Sequence, residues 1–115
     1  MFSDLNEKIN GYFNFNQKLI LVDVIKLIRK QKVKKSIPVY NIQKYYYESC
    51  EKLNVEPLSR NDIIHNLKII EIAGLIKRTR DNVKIVGLEG YTIENLEEVI
   101  YQDPELIHFR DYPAN

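Results

Sequence analysis

"LSRNDIIHNLKIIEIAGLIKR", residues 58–78, carries two patterns in succession. Ile63, Leu67 and Ile70 recur at the three- and four-residue spacing that gathers side chains on one helical face. Ser59 stands where a helix wants a side-chain cap, and Gly74 where it wants a left-handed exit. The spacing predicts a helix over 59–73. With its apolar positions turned inward, Asn61, His65, Lys68 and Ile72 point most directly away. Arg60, Ile64 and Glu71 fall on one flank, and Asp62, Asn66 and Ile69 on the other. A cationic strand follows, "LIKRTR", then Asp81-Asn82, then "VKIVGL". Asp and Asn tolerate the positive φ of a tight turn, so this part reads as a β-hairpin.

Upstream, "NVEP" (54–57) is a short connector behind a second amphipathic helix, "NIQKYYYESCEKL" (41–53). Ile42, Tyr46, Ser49 or Cys50, and Leu53 share its inner stripe. Tyr45, Tyr46 and Tyr47 cannot all face one way, so at least one is expected to be partly exposed. Pro38 breaks this helix from an earlier one, expected to be capped by Asn16 and to run through "QKLILVDVIKLIRK". Its wide apolar face, with Ile20, Leu21, Val24, Ile25, Leu27 and Ile28, suits a central buried position. Downstream, Thr92 opens a fourth helix with Ile93, Leu96, Val99 and Ile100 along one edge, closed by Asp103-Pro104.

A short connector between the second and third helices makes a helix-turn-helix, and the hairpin after it makes a winged one. The fold class is therefore mainly α with a small β-hairpin, in the order helix, helix, helix, hairpin, helix. Residues 16–101 form the winged-helix domain. Residues 1–15 read as an N-terminal lead-in and 102–115 as an acidic C-terminal tail.

Net charge is only +1 over 115 residues, yet it is unevenly placed. Residues 1–88 hold 16 basic against 9 acidic side chains, a balance of +7; residues 89–115 hold Arg110 against 7 carboxylates, a balance of −6. Strong local fields survive a nearly neutral total. The densest basic run, "KLIRKQKVKK", sets Lys26, Arg29, Lys30, Lys32, Lys34 and Lys35 together without an acid.

Catalytic groups are sparse. The single cysteine, Cys50, excludes an internal disulfide and a cysteine-built zinc site, which fits a reducing interior. His65 and His108 lack the spacing of a helical metal pair, and Gly11, Gly74, Gly87 and Gly90 make no phosphate-cradling loop. The carboxylates crowd into the last quarter, where Glu94, Glu97 and Glu98 read as a solvent face. No apolar run approaches the ~20 residues of a membrane span, and "MFSDLNEKIN" lacks a signal-peptide layout. The expectation is a non-enzyme without metal or cofactor, cytoplasmic and nucleoid-associated.

A helix fits the major groove, and its N-terminal half reaches base edges. In that role Arg60 would grip guanine, Asn61 would pair with adenine, and Ile64 would pack on a thymine methyl. Ser59 would meet a phosphate and His65 a base or a phosphate, with Lys68 exposed beside them. On the ribbon, Lys77, Arg78, Arg80 and Lys84, opposed only by Asp81, would reach phosphates or an adjacent minor groove. The expected partner is double-stranded DNA, bound by a monomer or weak dimer. Two other readings stand beside it. One is a small dimeric transcriptional regulator joined through its C-terminal helix; the other is a protein-docking winged helix using the acidic tail or an Ile69–Ile72 ridge.

"FNFNQKLILVDVIKLI", "YYYESCEKLNVEPLSRNDIIHNLKIIEIAGLIKR" and "TIENLEEVIYQDPEL" occur in that order between Phe15 and Leu106. Together they resemble the C-terminal winged-helix domain of archaeal origin-recognition initiators, AAA+ proteins related to the eukaryotic origin recognition complex and its helicase-loading partner. The resemblance implies origin-DNA binding through Ser59, Arg60, Asn61, Ile64 and Lys68 on the helix, and Arg78, Arg80 and Lys84 on the wing. It also implies an AAA+ module in a longer parent chain, or other replication proteins, as partners. Two departures stand out. The family wing often carries glycine and arginine at its tip, where this chain has "RTRDNVK". The chain also has no P-loop, which fits either an excised domain or a stand-alone relative working without ATP.

Overall fold

A capping box opens the central helix. Asn14 Oδ1 accepts the Gln17 N–H at 2.9 Å, and Gln17 Oε1 accepts the Asn14 N–H at 3.0 Å. The helix runs Phe15–Lys30. The cap is thus Asn14 rather than the expected Asn16, whose side chain instead accepts the Tyr46 hydroxyl at 2.7 Å. The reciprocal bond with Gln17 decides between two asparagines that sequence alone cannot rank.

The computed structural model describes residues 3–31 and 35–111. Its elements are α1 (Ser3–Tyr12), α2 (Phe15–Lys30), β1 (Ser36–Pro38), α3 (Val39–Leu53), α4 (Arg60–Ile72), β2 (Ile76–Thr79), β3 (Asn82–Ile85), α5 (Ile93–Ile100) and a 3₁₀ turn (Ile107–Asp111). Every residue from Gln17 to Lys26 on α2 is buried, so this helix is the axis of the core. Lys32, Val33 and Lys34 of the basic run lie outside the described residues.

The mainly-α winged-helix order is present, with two additions. β1, three residues long and ending in a proline, is too short to show an alternation. It pairs antiparallel with β3, giving a three-stranded sheet of order β1-β3-β2. The hairpin therefore has a neighbour strand and an inner face, with Ile37, Val83 and Ile76 buried. The second addition is at the ends. Leu5, Ile9 and Phe13 from the expected lead-in and Leu106 and Phe109 from the expected tail are buried core side chains. α1 packs on α5, where Asn10 Nδ2 donates to the Val99 carbonyl at 3.2 Å. The core thus extends past residues 16–101 in both directions.

α3 starts at Val39, with Pro38 at its cap position and φ near −59°. It ends where Asn54 adopts a left-handed φ of 55°, and the Val55 N–H returns to the Cys50 carbonyl at 2.9 Å. Of the three tyrosines, Tyr45 and Tyr46 are buried and Tyr47 is half-buried, as three successive positions require. At the hairpin base Gly74 and Gly87 both have positive φ. A Cβ on Gly87 would lie 2.0 Å from the Gly74 carbonyl oxygen, so only glycine lets the two strand ends cross here.

Candidate nucleic-acid interface

α4 is held in place by contacts that lie behind its exposed side. Ser59 caps it, its Oγ accepting the Asp62 N–H at 3.2 Å, which leaves the hydroxyl hydrogen available as a donor. The turn before it is fixed by Tyr46, whose buried hydroxyl donates to Asn16 Oδ1 and accepts the Leu58 N–H at 3.0 Å. Burial pushes this phenol above its ordinary range, so it stays a neutral donor and acceptor. Gln17 Nε2 donates to Asn66 Oδ1 at 2.9 Å and joins α4 to α2. At the far end Glu71 Oε2 accepts the Arg78 N–H at 2.9 Å, tying α4 to the sheet.

With Ile63, Leu67 and Ile70 buried, Ser59, Arg60, Asn61, His65 and Lys68 are all exposed. Ile64 is half-buried and packs against the core, so little of it is left for a base methyl. Arg60 borders a cleft of about 290 Å³ against α3, together with Tyr47, Glu48 and Glu51. Lys44 lines the same cleft as the two carboxylates, and no ion pair holds Arg60 there among the described residues.

The sheet sorts the remaining cations by its pleat. Lys77 and Lys84 are direct cross-strand partners, and Ser36 on β1 is the next in the same row. All three turn outward and, with Thr79, Arg80 and Asn82, line a depression of about 490 Å³. Like charges directly opposed across strands repel unless an anion lies over them. Arg78 falls in the other register, opposite buried Val83, and is half-buried. Its Nε donates to the Arg80 carbonyl at 3.2 Å. Arg78 thus braces the turn rather than projecting beside Lys77. Ser36 was not foreseen as a neighbour of the lysines, because that requires the β1–β3 pairing, while Thr79 and Asn82 join them through the β2–β3 register.

The hairpin is also shorter and more tightly held than a protruding ribbon. Its strands have four residues each and its loop is Arg80-Asp81. The positive φ falls on Arg80, at 56°, rather than on Asp81 or Asn82. The Val39 N–H donates to the Asp81 carbonyl at 2.7 Å, pinning the tip to the start of α3. A tip bound to the body has little reach into a minor groove.

The acidic quarter lies elsewhere. Lys18 pairs with Asp103 at 3.0 Å, and Arg29 with Glu94 at 3.0 Å and Glu97 at 2.6 Å. Lys26 Nζ donates to the Phe109 carbonyl at 2.7 Å and sits 3.6 Å from the centre of that ring. Two members of the basic run, Lys26 and Arg29, are thereby turned toward the C-terminal segment, while Lys30 and Lys35 are exposed. Among the described residues no ion pair holds Arg60, Lys68, Lys77, Arg80 or Lys84.

A capped helix presenting a polar N-terminal half, with a pinned hairpin alongside, defines a winged helix-turn-helix domain. The family model for the C-terminal winged helix domain of Cdc6 matches residues 10–88. That is well over half of the chain, which belongs to this family of replication-initiator domains. The Cdc6p structure from Pyrobaculum aerophilum shares the fold, with a TM-score of 0.68 at 17% sequence identity. The match covers 79% of this chain and 24% of that one, so the domain corresponds to about a quarter of that relative. No curated protein sequence matches significantly. Among the described residues no helix is long and apolar enough to cross a membrane.

Proposed function

We propose that this domain binds duplex DNA at replication origins, with α4 along the major groove and the short hairpin against the adjoining backbone. One observation carries the reading. Arg60, Lys68, Lys77, Arg80 and Lys84 stay exposed without ion-pair partners among the described residues, while Glu94, Glu97 and Asp103 of the last quarter pair with Arg29 and Lys18 on α2. Asn61, His65 and the Ser59 hydroxyl add hydrogen-bonding groups at the N-terminal end of α4, which itself favours a phosphate.

Phosphate neutralisation then supplies most of the affinity, and Asn61 the main base contact. Arg60, exposed at the first turn of α4 and in no ion pair among the described residues, adds a second base contact. Lys77 and Lys84 each meet one phosphate of the backbone, with Ser36 and Asn82 as hydrogen-bonding neighbours. The hairpin follows the backbone and does not enter the minor groove. The domain acts by binding rather than catalysis. In support, Cys50 is buried and burial raises its thiol, which removes the thiolate a nucleophile needs. An AAA+ module, in the same parent chain or a separate one, is the working partner.

A salt titration with a fluorescent duplex tests this. Five phosphate contacts give a fall in log K against log salt with slope about 4 to 5. Absence of duplex binding at low salt would overturn the proposal.

A further inference from the structure

The outward face of the sheet is a small grid. Its register places Lys77, Lys84 and Ser36 in one cross-strand row, and Thr79, Asn82 and Pro38 in the next. Side chains alternate along each strand, so both rows turn away from buried Ile76, Val83 and Ile37. Neighbouring strands lie about 5 Å apart, and successive rows on one face about 7 Å apart. Ser36, Lys77, Thr79, Arg80, Asn82 and Lys84 thus gather around one depression of about 490 Å³. Each of these side chains can donate a hydrogen bond, and none is a carboxylate. Asp81 of the loop does not line the depression.

Left empty, this arrangement is strained electrostatically. Lys77 and Lys84 face each other directly across the strands, where like charges repel. Arg80 adds a third positive charge at the turn, its backbone set by a left-handed φ of 56° and by a carbonyl that accepts the Arg78 Nε–H. Among the described residues no acid pairs with any of the three. Clustered positive charge is offset best by clustered negative charge. A duplex backbone spreads single charges along its strands. A diphosphate concentrates several on two joined tetrahedra, whose oxygens can meet the lysine row and the Thr79–Asn82 row together.

We propose that this depression is a binding site for free inorganic diphosphate, and that filling it releases the sheet from DNA. Lys77 and Lys84 hold one phosphoryl group between them, which removes their mutual repulsion. Arg80, Thr79 and Asn82 hold the second, the guanidinium by a two-point contact and the hydroxyl and amide as neutral donors. Ser36 closes the lysine row on the β1 side. No aromatic side chain lines the depression, so nothing there holds the base of a nucleotide. The release follows because the same lysines serve as backbone contacts, and this clause alone rests on the DNA reading. No residue of α4 lines the site, so Arg60, Asn61 and Lys68 stay available when it is filled.

Isothermal titration calorimetry of the full chain at fixed ionic strength reads the site without DNA. Inorganic diphosphate is expected to bind about tenfold or more tighter than inorganic phosphate or sulfate, because it brings more charge to the same cations. Adenosine diphosphate is expected to bind no tighter than inorganic diphosphate. Lys77→Ala with Lys84→Ala weakens diphosphate binding by about tenfold or more. Lys30→Ala, which removes an exposed cation at the end of α2, leaves it unchanged. Thermal melts followed by circular dichroism check that each variant is folded, as expected for exposed positions. In a second arm, diphosphate displaces a fluorescent duplex from the wild-type chain and leaves the affinity of the double variant unchanged. Diphosphate that binds no better than phosphate overturns the site, as does binding that survives the double substitution. Tighter binding of adenosine diphosphate overturns the restriction to inorganic phosphates. Diphosphate that binds without disturbing a bound duplex overturns the release. A chain that binds diphosphate but no duplex sinks the DNA reading and upholds the site.

Discussion

Two sets of cations in this molecule have similar sequence surroundings and opposite structural fates. Lys18, Lys26 and Arg29 lie on α2, the last two in a stretch that reads as a basic run. All three turn toward the C-terminal quarter, meeting Asp103, the Phe109 carbonyl and ring, and Glu94 with Glu97. Arg60, Lys68, Lys77, Arg80 and Lys84 stand on α4 and the sheet, exposed and without ion pairs among the described residues. The first set ties a wrapped segment to the core; the second keeps a field that points outward. A positive patch therefore depends on where the negative segment folds, since Glu94, Glu97 and Asp103 pair with α2 and not with α4 or the sheet.

The sharpest way to break the contrast is on the inner set. Lys26→Ala leaves the Phe109 carbonyl without this donor and removes packing against the ring, in a place where Lys26 is only 8% exposed. Leaving a buried acceptor without its donor costs roughly 1–3 kcal/mol. Urea unfolding should show a loss of that size, while the folded variant keeps wild-type duplex affinity. An affinity loss in the folded variant would mean that the two sets are not separate.

The outer set responds in the opposite way. Lys77→Ala with Lys84→Ala should lower duplex affinity by about tenfold or more at low salt and reduce the salt slope by nearly 2. Stability should hold or rise slightly, because two like charges no longer face each other across the strands. Arg78→Ala should change the slope less than either lysine substitution alone, since its guanidinium braces the turn. Equal effects at all three positions would contradict the sorting by register.

A smaller effect separates the buried charges by pH. Burial lowers Lys26 from 10.5 to about 8. Between those values the unfolded chain holds a proton that the folded chain has released, so stability rises with pH across that window. Asp23 is fully buried beside Ser49, and desolvation raises it well above 3.8. From there up to its folded value the folded chain keeps a proton that the unfolded chain has lost, so stability falls as pH rises. Asp23→Asn should abolish that fall, worth about 1.4 kcal/mol for each unit by which the carboxyl is raised. Unfolding curves across the acid-to-neutral range check this, and an unchanged pH profile would show that Asp23 is not the group responsible.

The four helices α2 to α5 and their order were legible because each carries its own period and its own stops, whereas α1 lies in the stretch read as a lead-in. Ser59, Thr92 and Gly74 act through bonds to residues three or four positions away, which sequence spacing records directly. The exposure of Asn61, His65 and Lys68 follows from the same period once Ile63, Leu67 and Ile70 are turned inward. Ser36–Pro38 gave no such signal, since three residues show no alternation and their partner is far along the chain. Arg78 was misjudged for a related reason: four basic or polar positions in a row look alike until pairing with β3 assigns each to a face.

What the chain settled alone was its local grammar: helix spans, most caps, the hairpin, and the polar side of α4. These rest on contacts within a few residues, whose geometry the spacing fixes. Only tertiary packing could decide that both termini join the core, that Glu94, Glu97 and Asp103 pair with α2, and that Lys77 and Lys84 face out while Arg78 faces in. Those outcomes depend on which distant surfaces meet, and charge or hydropathy read along a line carries no record of that meeting.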